Sequence, residues 1–164
     1  MSVQFMVSIV GPEHQGMLKL MAEKTHSLGG RWLDSKTNHL GGQFAGLIKI
    51  DIPAENETQM KGEFAALEGF NVLFSPIKDA EVGATVNVSY DSSDRPGLVS
   101  EITHLLTEEG VKVEHMESHR VGVVELGSNI FTAQMKLRLP QDVEPNTIAA
   151  KLESLDGDAV VNLN

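Results

Sequence analysis

The feature that most constrains this chain is that it repeats itself once. Gly16 and Gly97 stand 81 positions apart, as do Gly29 and Gly110, and Val7 and Val88. Further along the offset grows: Phe44 matches Phe131 and Pro53 matches Pro140, both at 87, so six residues are inserted in the second copy, around Val121 to Ser128. That insertion holds Gly122 and Gly127, as a longer hairpin loop does. A chain built of two like copies of about 80 residues folds as two like units, each with its own modest core.

Each copy reads as the same series of elements. Val3, Phe5, Val7 and Ile9 alternate with Gln4, Met6, Ser8 and Val10, and Ala84, Val86, Val88 and Tyr90 alternate with Thr85, Asn87 and Ser89. Period two is the pattern of a half-buried strand. A glycine-bearing turn and a helix follow. Leu98, Ile102, Leu105 and Leu106 fall on one helical face, and Leu18, Met21, Ala22, Thr25 and Leu28 give a weaker stripe in the first copy. Gly29 and Gly110 end these helices.

A hairpin comes next, from Arg31 to Ile52 with its turn near Leu40-Gly41-Gly42, and from about Val111 to Leu139 in the second copy. Its returning strands turn Phe44, Ile48, Ile50 and Ile52, or Phe131, Ala133, Met135, Leu137 and Leu139, to one side, and Pro53 and Pro140 stop them. A second helix shows Met60, Phe64 and Leu67, or Ile148, Leu152 and Leu155. A last strand closes each copy, Val72 to Ile77 and Ala159 to Leu163. The order β-α-β-β-α-β is the split, ferredoxin-like motif. The fold class is therefore α+β: two tandem βαββαβ domains, residues 1–81 and 82–164, each an antiparallel four-stranded sheet with helices on one face. The other face is expected to be polar and open to solvent or a partner.

Charge and composition narrow the function. The net charge is −10 and the basic residues are scattered, which argues against direct nucleic-acid binding. No apolar run is long enough to span a membrane. There is no cysteine, which removes disulfides, thiol catalysis and thiolate metal sites and fits a reducing compartment. The opening Met1-Ser2-Val3-Gln4-Phe5 lacks the features of a secretory signal, so a cytoplasmic location is expected.

The turn of the second copy reads Asp91-Ser92-Ser93-Asp94-Arg95-Pro96-Gly97-Leu98-Val99. An Asp-Arg-Pro-Gly-Leu turn that opens a helix within βαββαβ resembles the signature of ACT domains. The first copy carries a degenerate form, Gly11-Pro12-Glu13-His14-Gln15-Gly16-Met17-Leu18. Its hairpin, Gly30-Arg31-Trp32-Leu33-Asp34-Ser35 and then Leu40-Gly41-Gly42-Gln43-Phe44, is similar to that of a narrower group, the tandem-ACT transcriptional repressors of the glycine cleavage type. The resemblance implies a non-enzymatic regulator that binds a small amino acid such as glycine and acts on transcription through a protein partner, as a homodimer. It places the ligand against the strand-to-helix turn and the helix start, at an interface between two such domains. The first turn departs from the pattern, with Glu13-His14-Gln15 in place of Asp94-Arg95-Pro96, so the two turns need not bind the same ligand.

The chemistry of the turns suits such a ligand. A helix start offers free backbone N–H groups and a partial positive charge to a carboxylate. Gly16 and Gly97 allow close approach to the backbone. Glu13, Asp91 and Asp94 are the nearest carboxylates in sequence to serve an ammonium group, and Met17, Leu18, Leu98 and Val99 would select a small side chain. The candidate binding set is therefore Glu13, His14, Gln15, Gly16, Met17 and Leu18 in the first turn and Asp91, Asp94, Arg95, Pro96, Gly97, Leu98 and Val99 in the second. A purely structural reading stands beside it, with Asp94 as a helix N-cap and Pro96 in the first helical turn. Under that reading the chain is a ligand-free interaction or oligomerisation module. His115 and His119 lie four apart on a strand, too far for one metal ion. No nucleophile elbow or phosphate loop occurs, so no enzyme, metal or cofactor is expected.

Overall fold

The alternation in residues 3–9 and 131–139 becomes the middle of two separate sheets. In a computed structural model that describes residues 1–125 and 127–164, the chain forms two units, Met1–Ala80 and Glu81–Asn164. The first unit runs β1 (Ser2–Pro12), α1 (Met17–Ser27), β2 (Arg31–Leu40), β3 (Gln43–Pro53), α2 (Glu57–Ala65) and β4 (Asn71–Ser75). The second repeats it as β5 (Ala84–Ser93), α3 (Leu98–Glu108), β6 (Lys112–Val123), β7 (Ser128–Leu139), α4 (Pro145–Glu153) and β8 (Val160–Leu163). The sheet orders are β2-β3-β1-β4 and β6-β7-β5-β8, antiparallel throughout. This is the βαββαβ architecture the repeat predicts.

Each sheet buries one face. In the first unit Phe5, Val7 and Ile9 of β1 and Phe44, Ile48, Ile50 and Ile52 of β3 meet Met17 and Met21 of α1 and Met60 and Phe64 of α2. In the second, Val88, Tyr90 and the inward row of β7 meet Leu98, Ile102, Leu106, Ile148 and Leu152. Each such side chain contributes about 1.5–3 kcal/mol on burial.

The hairpins share one irregularity. The register of β2 slips between Trp32 and Asp34 and that of β6 between Val113 and His115, the same place in each repeat. The six extra residues are spread through the second hairpin. β6 runs two residues past Val121, the counterpart of Leu40, and β7 begins two before Ile130, and the remainder lies in the connection.

Four expectations change. Leu18 is 38 % exposed, while Met17 takes the first core position of α1 because the stripe is Met17, Met21 and Thr25. Pro96 lies outside the helix, which begins at Leu98 after Gly97. The last strands are shorter than read from the sequence, Asn71–Ser75 and Val160–Leu163. The free face of the first sheet is not uniformly polar: Val10, Leu47 and Leu73 stand exposed on it, Leu73 at 71 %.

Trp32, on β2, is half-buried against the first core. Its Nε1–H donates to Thr25 Oγ1 at 2.9 Å, and that hydroxyl donates to the Met21 carbonyl at 2.8 Å. Trp32→Phe is predicted to lose about 1 kcal/mol in urea unfolding, since only one hydrogen bond goes and Thr25 keeps its other partner. A loss beyond about 3 kcal/mol would mean that the ring, not its N–H, is the larger part of the contact.

Candidate functional site

The two turns have the same backbone. Gly16 and Gly97 precede the helices with φ of 85° and 89°, a left-handed conformation that favours glycine. Having no side chain, neither can cap the helix N–H groups, which leaves those after the first open to another acceptor. In the first unit the Met17 N–H is engaged by the His14 carbonyl at 3.2 Å.

Around this frame the first unit builds a cleft of about 500 Å³, lined by Glu13, His14, Gln15, Gly16, Met17, Leu18, His39 and Phe44. All six candidate residues of the first turn therefore line one cavity. His39 and Phe44 come from the hairpin, near its turn, and sequence reasoning missed them. The Glu13 N–H donates to the Gly42 carbonyl at 2.8 Å and fastens the turn to the hairpin tip. The His39 and Phe44 rings pack with centroids 5.2 Å apart. His39 Nδ1 lies 3.4 Å from Glu13 Oε1. The cleft thus joins a carboxylate, two imidazoles, an amide and an apolar floor.

The second turn is closed on itself. Arg95 donates from Nε to both oxygens of Asp156, at 2.8 and 3.0 Å, and from Nη1 to Glu101 at 2.8 Å. Glu101 first, then Asp156, raises the pKa of Arg95, and Arg95 in turn lowers that of Glu101. Tyr90, fully buried, donates to Asp156 at 3.4 Å, and burial raises its phenol pKa. Asp94 accepts from Arg120 Nε at 2.8 Å and is not a helix cap, because the chain turns it toward the hairpin. Leu98 lies in the core, so only its backbone can face a ligand, while Val99 is exposed. Asp91 pairs with Thr132 and Val160, away from Tyr90, and lines a separate cleft of about 240 Å³ with Ser93 and Asp158. The structure therefore divides the second candidate set.

The ion pairs of the second unit predict its acid response. Asp158 accepts from the hydroxyl and the backbone N–H of Ser93, which hold its pKa below 3.8, and Glu101 is held below 4.5 by Arg95. A carboxylate whose pKa is lower when folded contributes stability that is complete above its unfolded value and is lost as pH falls through the folded one. The melting temperature of the second unit should fall steadily as pH drops below 4.5, and less steeply in Glu101→Gln. An identical slope in that variant, by calorimetry, would remove Glu101 from the account.

These features define a class, a tandem of two ferredoxin-like folds, the first with a cleft at its strand-to-helix turn. Residues 86–144, within the second unit, match the family model of the ACT domain. Among solved structures the chain is similar to a protein of unknown function from Galdieria sulphuraria, at 18% identity and TM-score 0.87, over 100% of this chain and 98% of that one. It is also similar to a candidate glycine cleavage system transcriptional repressor, at 16% identity and TM-score 0.71, over 100% and 98%. Both likenesses extend the shared fold to the first unit. Comparison with the curated proteins finds no match.

Proposed function

We propose that this chain is a regulatory protein that senses a small amino acid, with glycine the first candidate, in the cleft of its first unit, and acts on transcription through a protein partner. The observation that carries the reading is the gathering of Glu13, His14, Gln15, Gly16, Met17 and Leu18 around one cleft at a helix start. The open N–H groups suit the ligand carboxylate and Glu13 its ammonium. The ACT-domain match over residues 86–144 and the net charge of −10 support a regulator that leaves DNA to its partner. No helix among the described residues is long and apolar enough to cross a membrane.

A thermal-shift screen with the L-amino acids and their D-enantiomers tests this. A ligand that prefers the folded chain raises the melting temperature with its concentration. A selective, saturable shift by one or two L-amino acids is expected. The exposed Val10, Leu47 and Leu73 favour a second reading, an interaction or homodimerisation module without a ligand. A flat screen on folded protein would select it.

A further inference from the structure

The repeat places a histidine of the first unit where the second has an arginine. His39 and Arg120 are 81 positions apart, and each lies on a β2-type strand opposite a phenylalanine, Phe44 or Phe131. Their partners also correspond, Glu13 with Asp94. Arg120 and Asp94 meet at 2.8 Å. His39 and Glu13 stand at 3.4 Å, longer than a charge-assisted hydrogen bond, and a histidine, unlike an arginine, is a side chain whose charge can switch in the physiological range.

We propose that Glu13 is the acceptor for a ligand ammonium group and that the proton on His39 gates it. This rests on the reading of the first cleft as an amino-acid site. When His39 is protonated, it neutralises Glu13 and repels an incoming cation. When His39 is neutral, Glu13 is left as the uncompensated carboxylate of the cleft. The titratable groups that line the cavity are Glu13 and His14 from the turn and His39 from β2, while β3 contributes Phe44 and α1 contributes Met17 and Leu18. No lysine or arginine lines it, so the cations there are the two imidazoles. In the second unit the corresponding pair is Arg120 with Asp94, and Arg95 is engaged by Glu101 and Asp156. The ligand class is a primary ammonium compound, read in one unit only.

The test uses the full chain, with the amides of residues 13–18 followed by NMR titration against glycine, ethanolamine and acetate. Glycine stays zwitterionic across the range, so any pH effect belongs to the protein. The titrations are run at about pH 5.5 and about pH 7.5, within the range in which histidine side chains change charge. Since apparent affinity scales with the fraction of open sites, glycine and ethanolamine should bind about tenfold tighter at the higher pH. Acetate should not. His39→Arg should lose the ammonium probes at both pH values, and His39→Gln should bind them with a ratio near one. Amides of the first core, in β1, β3 and α2, report that each variant is folded. Glycine binding with equal affinity at both pH values, or undiminished in His39→Arg, overturns the gate and leaves the cleft as a site. No amide movement with any probe overturns both.

Discussion

Phe64→Ala should unfold the first unit at ambient temperature while the second keeps its native amide spectrum. Phe64 is fully buried in the core cluster of the first unit, with Met60 and Ile48. Removing a buried phenylalanine costs about 3–5 kcal/mol. A unit of this size has a total stability of roughly 4–12 kcal/mol, so the loss takes much or all of it. Hydrogen exchange read residue by residue should show protection lost across β1, β3 and α2 together and retained in β5, β7 and α3. A uniform loss of protection in both units would show that the two do not fold separately.

Glu13→Gln should weaken the selected amino acid by about tenfold to a hundredfold with little change in melting temperature. A hydrogen bond to a charged group is worth about 1.5–3 kcal/mol, and the amide that replaces the carboxylate keeps the shape and loses the charge. Glu13 lies at the surface of the turn, and its side chain is not part of the core. Titration calorimetry of the variant beside the parent chain reads the effect directly. Undiminished affinity would move the ammonium partner away from Glu13. Met17 is a poorer target for such an experiment, because it both lines the cleft and fills the core.

Most of the fold was legible because the repeat forced the same reading twice. β7 alternates without a break from Phe131 to Leu139, and that row alone sets the buried face of its sheet. α1 was less legible. Its stripe is thin, and reading it from Leu18 instead of Met17 turned the helix by one position. The apolar residues on the outer face of the first sheet were read as the polar half of an alternation, since Val10 and Leu47 interrupt it only singly.

The site was half legible. The turn residues are contiguous and share a glycine that fixes their backbone, so the first six fell together. His39 and Phe44 lie a hairpin away, and nothing local marks them. The repeat did hold the signal: the pairings of Glu13 with His39 and of Asp94 with Arg120 become visible once the two copies are set in register at 81. The closure of the second turn was not legible, because Asp156 reaches Arg95 from beyond α4, some 60 residues later.

Trp32 and Tyr90 are the one tryptophan and the one tyrosine of the chain, and the fold gives one to each unit. Trp32 packs against the first core through a ring whose N–H is held by Thr25, and Tyr90 is sealed in the second with its hydroxyl on Asp156. The protein therefore carries two intrinsic optical labels that do not share a domain. Indole emission, excited on the long-wavelength side of the phenol band, follows the half that holds the first cleft. Binding and melting in that half can be observed in the unmodified protein, with no dye, tag or substitution to disturb it.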